Sequence, residues 1–287
     1  MTLVVPAYDE QDGIDGVVRR LASLDLGVPL ELLVVEDGST DGTRARLAEL
    51  EREIECLRVI EHGVNRGYGA ALKTGFGEAT HDVVVITDAD GTYPEDRIVD
   101  LLAHIDAGAE MAVGARTGAS VHVPLIRKPA KWALRRLASY LAGVHIPDLN
   151  SGLRAFRREL VMKYQPILPD GFSFTTTITL ASLTNGHRVA YESIDYAQRS
   201  GKSKIAPIRD TLRFLSLILR TVVYFNPLKV FYPVAGFLFV ALMVSLYWDL
   251  FVEVNLGDKS VALFVALVQV LSIGLIADLI DKKSKLR

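Results

Sequence analysis

Residues 83–96 read VVVITDADGTYPED. Four β-branched apolar residues in succession, Val83 to Ile86, fit a strand buried on both faces, where no polar position needs to alternate with the apolar ones. The run then presents two carboxylates two positions apart, Asp88 and Asp90, ahead of Pro94, which marks the start of the next helix. If the backbone bends after Thr87, both carboxylates can share one hard divalent cation that in turn bridges diphosphate oxygens. Mg2+ or Mn2+ suits such an oxygen-rich setting, whereas zinc would want imidazoles or thiolates. Acids at strand ends also hold turns or begin helices, and that is the reading for Asp41 in STDGT.

Outward from this strand the first two hundred residues alternate. TLVVPAY, ELLVVED, LRVIEH and AEMAVGAR read as strands, and DGIDGVVRRLASL, TRARLAELEREI and the segment from PEDRIVDLLAHI as helices, with glycine-rich GVNRGYGAALKTGF leading into the central strand. A βαβαβαβ order predicts an α/β fold, a mostly parallel sheet with helices on both faces, whose ligands collect beyond the carboxyl ends of the strands. Asp37, Asp88 and Asp90 all fall at such ends. There is no GxGxxG after the first strand and no GxxxxGK[ST] loop, which argues against a hydride-transferring dinucleotide enzyme and a P-loop hydrolase.

Half of the 287 residues are apolar and the mean hydropathy is +0.26, an excess concentrated in the C-terminal quarter. Residues 230–248 and about 261–280 are long enough to cross a hydrocarbon core of roughly 30 Å. Arg209, Arg213, Arg220 and Lys229 precede the first stretch, DKKSKLR follows the second, and DLFVEVNLGDK between them is mainly acidic. This bias predicts a multi-pass protein of the cell membrane, with both outer flanks and the large N-terminal part cytoplasmic and a short loop outside. The start, MTLVVPAYDE, enters a strand without the pattern of a signal peptide. The lone Cys56 excludes an intrachain disulfide and is expected in a helix or strand near the surface. Net charge is −2, yet basic residues crowd between Arg199 and Lys229, which reads as attraction to anionic headgroups rather than to nucleic acid. The expected organisation is a catalytic domain over 1–204, an amphipathic juxtamembrane helix over 205–228 and a two-helix membrane anchor over 229–287. A juxtamembrane helix packed inside the soluble domain is the other possibility.

VVPAYDE (4–10), VVEDGSTDGT (34–43), NRGYGAALKTGF (65–76) and DADG (88–91) occur in the order and spacing of the nucleotide-sugar-dependent glycosyltransferases of family 2, with their GT-A fold. VGARTG (113–118), IPDLNSGLRAFRRE (146–159), YAQRSGKSKI (196–205) and the paired apolar stretches resemble the branch that glycosylates polyprenyl or dolichyl phosphate. The resemblance implies that Pro6, Ala7, Tyr8, Glu10, Asp37, Asp88 and Ala89 line the nucleotide-sugar cleft, with Asp37 accepting from the base. It makes Asp88 and Asp90 the metal-side acids, Asp90 the principal ligand of Mg2+ or Mn2+. Thr92, where dolichyl-phosphate mannose synthases commonly carry a glutamine, is a weak third ligand. Arg116, Arg127 and Arg199 would surround the acceptor phosphate, with Lys131 and Lys202 adding contacts. Ser151 and Arg154 either touch the sugar or form a structural turn.

Transfer to a hydroxyl needs a general base, but PDGFSFTTTITLA (169–181) carries no acid after Asp170. A phosphate acceptor is already anionic near neutral pH, so it needs cations instead. The expected reaction is therefore an inverting transfer of a hexose from a nucleotide sugar, UDP-linked in preference to GDP-mannose, to polyprenyl phosphate. Asp88, Asp90 and Arg116 would carry the catalysis and a homo-oligomer is possible. The rivals are an inactive GT-A membrane partner and a polysaccharide synthase, though the chain has only two apolar stretches and no QxxRW-type run.

Overall fold

The computed structural model describes residues 1–118, 135–140, 142–171, 173–197, 215–216, 218–220, 222–224, 226–253 and 255–285. Seven strands form one sheet: β1 Thr2–Ala7, β2 Glu31–Glu36, β3 Leu57–Glu61, β4 Val83–Ile86, β5 Met111–Ala115, β6 Arg154–Arg157 and β7 Val189–Ser193, in the order β3-β2-β1-β4-β6-β5-β7. β3, β2, β1 and β4 are mutually parallel, and β5 pairs with β7 in parallel. β6 is antiparallel to both its neighbours and is the one reversed strand, set between β4 and β5. That reversal lies in NSGLRAF, a stretch the sequence reading treats as a bend.

Helices cover both faces. On one side lie α1 Ile14–Ala22, α2 Thr43–Glu53 and α4 Ile98–Asp106; on the other lie α3 Tyr68–Glu78, α5 Arg158–Tyr164 and α6 Phe174–Thr184. The strand side chains sort by the two-residue period: Leu3, Val5, Leu32, Val34 and Val85 face the first layer, while Val4, Leu33, Val35, Val84 and Ile86 face the second. Both halves of each alternation are apolar because both faces are covered. The glycine-rich stretch before β4 is thus largely helical. Its glycines are needed for contact: a Cβ on Gly75 would stand 2.3 Å from Val4, and one on Gly69 would stand 2.2 Å from the Pro169 carbonyl oxygen. Cys56 is half-buried in the turn between α2 and β3, not inside a helix or strand as expected.

Two long helices, α7 Leu228–Trp248 and α8 Asp258–Lys285, form a hairpin at the C-terminal end, joined by a π-helical turn over Asp249–Glu253. The spans Leu228–Val252 and Asp258–Ile280 are apolar and long enough to cross a membrane, and only 11% of each span's apolar window is buried. Gly274 lets the pair approach closely, since a Cβ there would sit 2.9 Å from Phe231. At the apex the Asp249 carboxylate accepts hydrogen bonds from Gly257 N (2.8 Å) and Ser260 Oγ (2.6 Å), closing the turn. Before the hairpin, helical residues 215–216, 218–220 and 222–224 bury Ile218 and Val222 against Ala138, Ile146, Leu149 and Leu180. The described part of the juxtamembrane segment thus turns apolar side chains toward the domain that carries the sheet. Residues 205–214, including Arg209 and Arg213, lie outside the described residues.

Candidate active site

The candidate acids stand beyond the carboxyl ends of the parallel strands. β1 and β2 are in register to their last residues, Ala7 opposite Glu36, and Asp37 N extends the ladder to the Ala7 carbonyl at 2.9 Å. The two following loops are laced together. Asp9 holds a left-handed backbone (φ 51°) and its Oδ1 accepts from Thr40 N at 2.8 Å, while Glu10 N donates to Thr43 Oγ1 at 2.9 Å. Asp41 accepts from Thr43 N (2.9 Å) and Thr43 Oγ1 (2.6 Å), the turn role read from the sequence. Pro6 is half-buried, Ala7 is buried, Glu10 is half-buried and Tyr8 is 41% exposed.

Asp37 is buried and heavily engaged. Its Oδ1 faces His62 Nδ1 at 2.7 Å and accepts from Arg66 N at 2.9 Å, and its Oδ2 accepts from Gly67 N at 2.8 Å. The other ring nitrogen of His62 meets Thr74 Oγ1 at 2.9 Å. Gly38 (φ 72°) permits this packing, because a Cβ there would lie 2.3 Å from the Val64 carbonyl carbon.

The central acids follow β4 directly. Thr87 N donates to the Val4 carbonyl at 3.3 Å, and the chain then bends so that Ala89 is buried while Asp88 and Asp90 are half-buried. Tyr68 donates to Asp88 Oδ1 at 3.1 Å. Gly152 lies flat against the same carboxylate, since a Cβ on it would be 2.7 Å from both oxygens. Asp90 Oδ1 accepts from Thr92 N (3.1 Å) and Thr92 Oγ1 (2.6 Å). Thr92 thus orients Asp90. Burial, and after it the Asp88 charge, raises the pKa of the Tyr68 and Tyr93 hydroxyls, which stay protonated. Among the described residues no three His, Cys, Asp or Glu side chains gather into a metal cage. Two hard oxygen donors on one short turn fit a cation that draws its other ligands from water and phosphate, as Mg2+ and Mn2+ do.

Arg116 follows β5 on the other side of β6. Its Nε and Nη2 fork onto Asp148 at 2.7 and 3.0 Å, its own N–H donates to Asp148 Oδ2 at 3.1 Å, and its guanidinium lies 5.3 Å from the Tyr196 ring centre. Tyr93 packs edge-on to Tyr196 at 5.1 Å and accepts from Gly152 N at 2.6 Å. Burial works against both charges of the Arg116–Asp148 pair, but mutual hydrogen bonding and attraction prevail, raising the arginine pKa and lowering that of the aspartic acid. Both remain ionised.

Arg154, read as touching sugar or forming a turn, does the second. It is fully buried, with Nε donating to the Ser151 carbonyl (2.7 Å), Nη2 to the Leu149 carbonyl (2.9 Å) and Nη1 to Thr179 Oγ1 (2.6 Å). It thereby clamps the 149–151 loop beside Asp88, and Ser151 is buried in that loop. Arg127, Lys131, Arg199 and Lys202 lie outside the described residues. The threonines of α6 are interior: Thr175, Thr176 and Thr177 are buried, and Thr176 Oγ1 donates to Asn150 Oδ1 at 2.7 Å. His62, Tyr68, Tyr93, Asp148 and Tyr196 are site neighbours that motif reading misses. Asp148 stands inside the quoted IPDLNSG, but its partner is 32 residues away and no local pattern announces the pair.

A sheet of this order with one reversed strand and paired acids after the central strand is the GT-A architecture of glycosyltransferases. Residues 2–165 match the family model Glycosyl transferase family 2, and residues 226–282 match the GtrB C-terminal hairpin. The chain belongs to glycosyl transferase family 2 and is a glycosyltransferase. It is 32% identical to a polyprenol monophosphomannose synthase of Mycolicibacterium smegmatis over 71% of this chain and 80% of the relative. To a dolichyl-phosphate hexose transferase of Haloferax volcanii it is 32% identical over 72% of this chain and 87% of that one. Among solved structures, glucosyl-3-phosphoglycerate synthase from Mycobacterium tuberculosis, in complex with Mn2+, UDP and phosphoglyceric acid, superposes with TM-score 0.60 at 21% identity, covering 77% and 78% of the two chains.

Proposed function

We propose that this protein transfers a hexose from a nucleotide sugar to polyprenyl phosphate with inversion, working at the cytoplasmic face of a membrane that its C-terminal hairpin crosses. The observation that carries the acceptor class is the state of the acids around the site. Asp148 is held ionised by Arg116, and the helix α6 offers interior threonines. A carboxylate held below its ordinary pKa is a poor proton acceptor, so a hydroxyl nucleophile would lack its base. A phosphate monoester arrives deprotonated. The two relatives named above carry polyprenol and dolichyl phosphate in their names, which supports the same class.

Asp88 and Asp90 would hold Mg2+ or Mn2+, which when bound neutralises charge on the donor diphosphate. The chain's own residues do the rest. Tyr68 and Thr92 fix the two carboxylates, Asp37 and Tyr8 receive the nucleoside, and Arg116 presents a permanent positive charge toward the acceptor. Arg127, Lys131, Arg199 and Lys202 are the further cations assigned to that phosphate. Catalysis is then mainly positioning and charge neutralisation rather than proton transfer. The hairpin keeps this apparatus at the surface from which a polyprenyl phosphate cannot cheaply leave.

The test offers purified protein, metal and a panel of nucleotide sugars either polyprenyl phosphate or free polyprenol, with mass spectrometry of the lipid product. A phosphodiester-linked sugar from the phosphate and none from the alcohol is expected. Efficient transfer to the alcohol overturns the assignment.

A further inference from the structure

Asp148 is a carboxylate whose accepting capacity is spent inside the protein. An ionised carboxylate offers about four lone-pair sites. Arg116 alone fills three of them, with Nε and its main-chain N–H on Oδ2 and Nη2 on Oδ1, and Asn150 N fills the fourth at 3.0 Å on Oδ1. The loop that Asp148 begins is pinned by buried Arg154, which donates to the Leu149 and Ser151 carbonyls, and it ends at Gly152, flat against the Asp88 carboxylate. Gly152 N donates to the Tyr93 hydroxyl, Tyr93 packs on Tyr196, and Tyr196 lies beside the Arg116 guanidinium. These contacts close a ring through Asp88, Gly152, Tyr93, Tyr196, Arg116 and Asp148. Arg116 and a metal-side acid are therefore neighbours, and the Tyr93 hydroxyl feels both charges.

We propose that Asp148 is a positioning residue that ties Arg116 down and thereby keeps its charge off the Asp88–Asp90 pair, where a divalent cation has to bind. This rests on the reading above that the two acids hold the metal. An arginine carries a permanent charge on a long, rotamer-rich side chain. Released beside the two carboxylates that follow β4, it would pair with one of them and compete with the cation for the same oxygens. The fork onto Asp148 spends one N–H of Nε and one of Nη2, and the remaining donors, those of Nη1 among them, are left for an acceptor oxygen. Asp148 thus separates two positive charges that the transfer needs at once, a metal on the donor diphosphate and a guanidinium for the acceptor. With its lone pairs engaged and its side chain only 12% exposed, it acts as a tether and not as a proton acceptor.

The test needs no acceptor lipid. Full-length protein in detergent is titrated with UDP or GDP, whichever the unmodified protein binds more tightly, at a series of Mn2+ concentrations. The Mn2+ concentration that gives half of the maximal nucleotide affinity is then compared between variants. Asp148→Asn keeps the size of the side chain but loses the charge that retains Arg116, and the Mn2+ requirement should rise about tenfold. Replacing the released arginine as well, in Asp148→Asn with Arg116→Gln, should return it to within about threefold of the parent, although both variants melt earlier. Asp148→Glu, which keeps the charge, should stay near the parent. An unchanged Mn2+ requirement in Asp148→Asn overturns the proposal. So does a raised one that the second substitution leaves in place, because lost packing is not repaired by a further substitution. Should Asp148→Asn not fold, the double variant strands no charge and still decides: a parent-like Mn2+ requirement is expected, and a raised one overturns the tether. Nucleotide binding that needs no metal in the unmodified protein sinks the metal reading and this proposal together, whereas a metal-dependent protein whose variants share one Mn2+ requirement sinks this proposal alone. Absence of any lipid product would sink the acceptor assignment and leave the Mn2+ comparison standing.

Discussion

The two rims of the sheet carry the same residue type with opposite fates. At the amino-terminal rim Glu31 accepts from Thr2 Oγ1 (2.5 Å), Thr80 N (3.0 Å) and Thr80 Oγ1 (2.8 Å) and pairs with Arg58 at 3.2 Å. Glu110, just before β5, is held by His187 Nδ1 at 2.7 Å and Arg188 N at 3.1 Å, and despite partial burial its pKa is lowered. At the carboxyl-terminal rim Asp88 meets a tyrosine hydroxyl and a glycine backbone, and Asp90 meets a threonine. The lower acids lie beside protein cations that offset their charge. Among the described residues the upper pair takes hydrogen bonds from hydroxyl and backbone donors, and the Asp88 charge is felt by Tyr68 and Tyr93. The acids after β4 are the ones proposed to meet a cation that arrives with the substrate, whereas an acid beside an arginine is part of the scaffold.

The largest expected effect breaks the upper rim at its centre. Asp90→Asn keeps the shape and can still accept from Thr92, yet removes half of the anionic pair. Turnover should fall by about 100-fold or more, the scale of losing a principal electrostatic element, while the thermal midpoint stays within a few degrees. Activity near that of the parent would show that the metal lies elsewhere.

Arg116 sharpens the comparison because it is an arginine on the upper rim already paired with a carboxylate. If the pair were scaffold only, Arg116→Lys would cost stability and leave the acceptor KM alone, since a lysine cannot reproduce the planar fork onto Asp148. With Arg116 on the acceptor phosphate, the acceptor KM should rise about tenfold while the affinity for nucleoside diphosphate is unchanged. A parallel loss of both would return Arg116 to the scaffold. Arg116→Ala is the cruder variant, as it strands Asp148, only 12% exposed, and should destabilise by about 3–5 kcal/mol.

How much of this was legible in the sequence follows from what is local. The strand Val83–Ile86, the acids after it and the hairpin are written in contiguous runs whose period and composition report burial directly. The reversed β6 was hidden because RAFR is four residues long and its alternation starts with a fully buried arginine, which reads as polar. The Arg154 clamp, the Asp37–His62 pair and the Arg116–Asp148 fork join residues 3 to 32 apart in contacts that no periodicity announces. Periodicity also missed α3, where glycines that lower helix propensity are retained because β1 and the 169–171 loop leave no room for a Cβ.

The smallest expected effect lies on the lower rim and is a matter of stability alone. Burial raises the Glu31 pKa, but hydrogen bonds from Thr2 and Thr80 and the nearby Arg58 outweigh it, leaving the group at about 2 against an ordinary 4.5. A folded-state pKa below the unfolded one means that the unfolded chain binds the proton more readily. The carboxylate's contribution is then complete above about pH 4.5 and is lost as pH falls toward 2. The side chain is 15% exposed and so only partly screened. Glu31→Gln should therefore cost about 1–2 kcal/mol at pH 7, lowering the thermal midpoint by a few degrees, and the gap between parent and variant should close progressively between pH 4.5 and pH 2. Sugar transfer at pH 7 and a temperature well below the midpoint should be unchanged, because Glu31 stands a full strand length from Asp37. A gap that persists at the lowest pH would assign the effect to packing, and a loss of transfer at pH 7 would mean that the two rims are not independent.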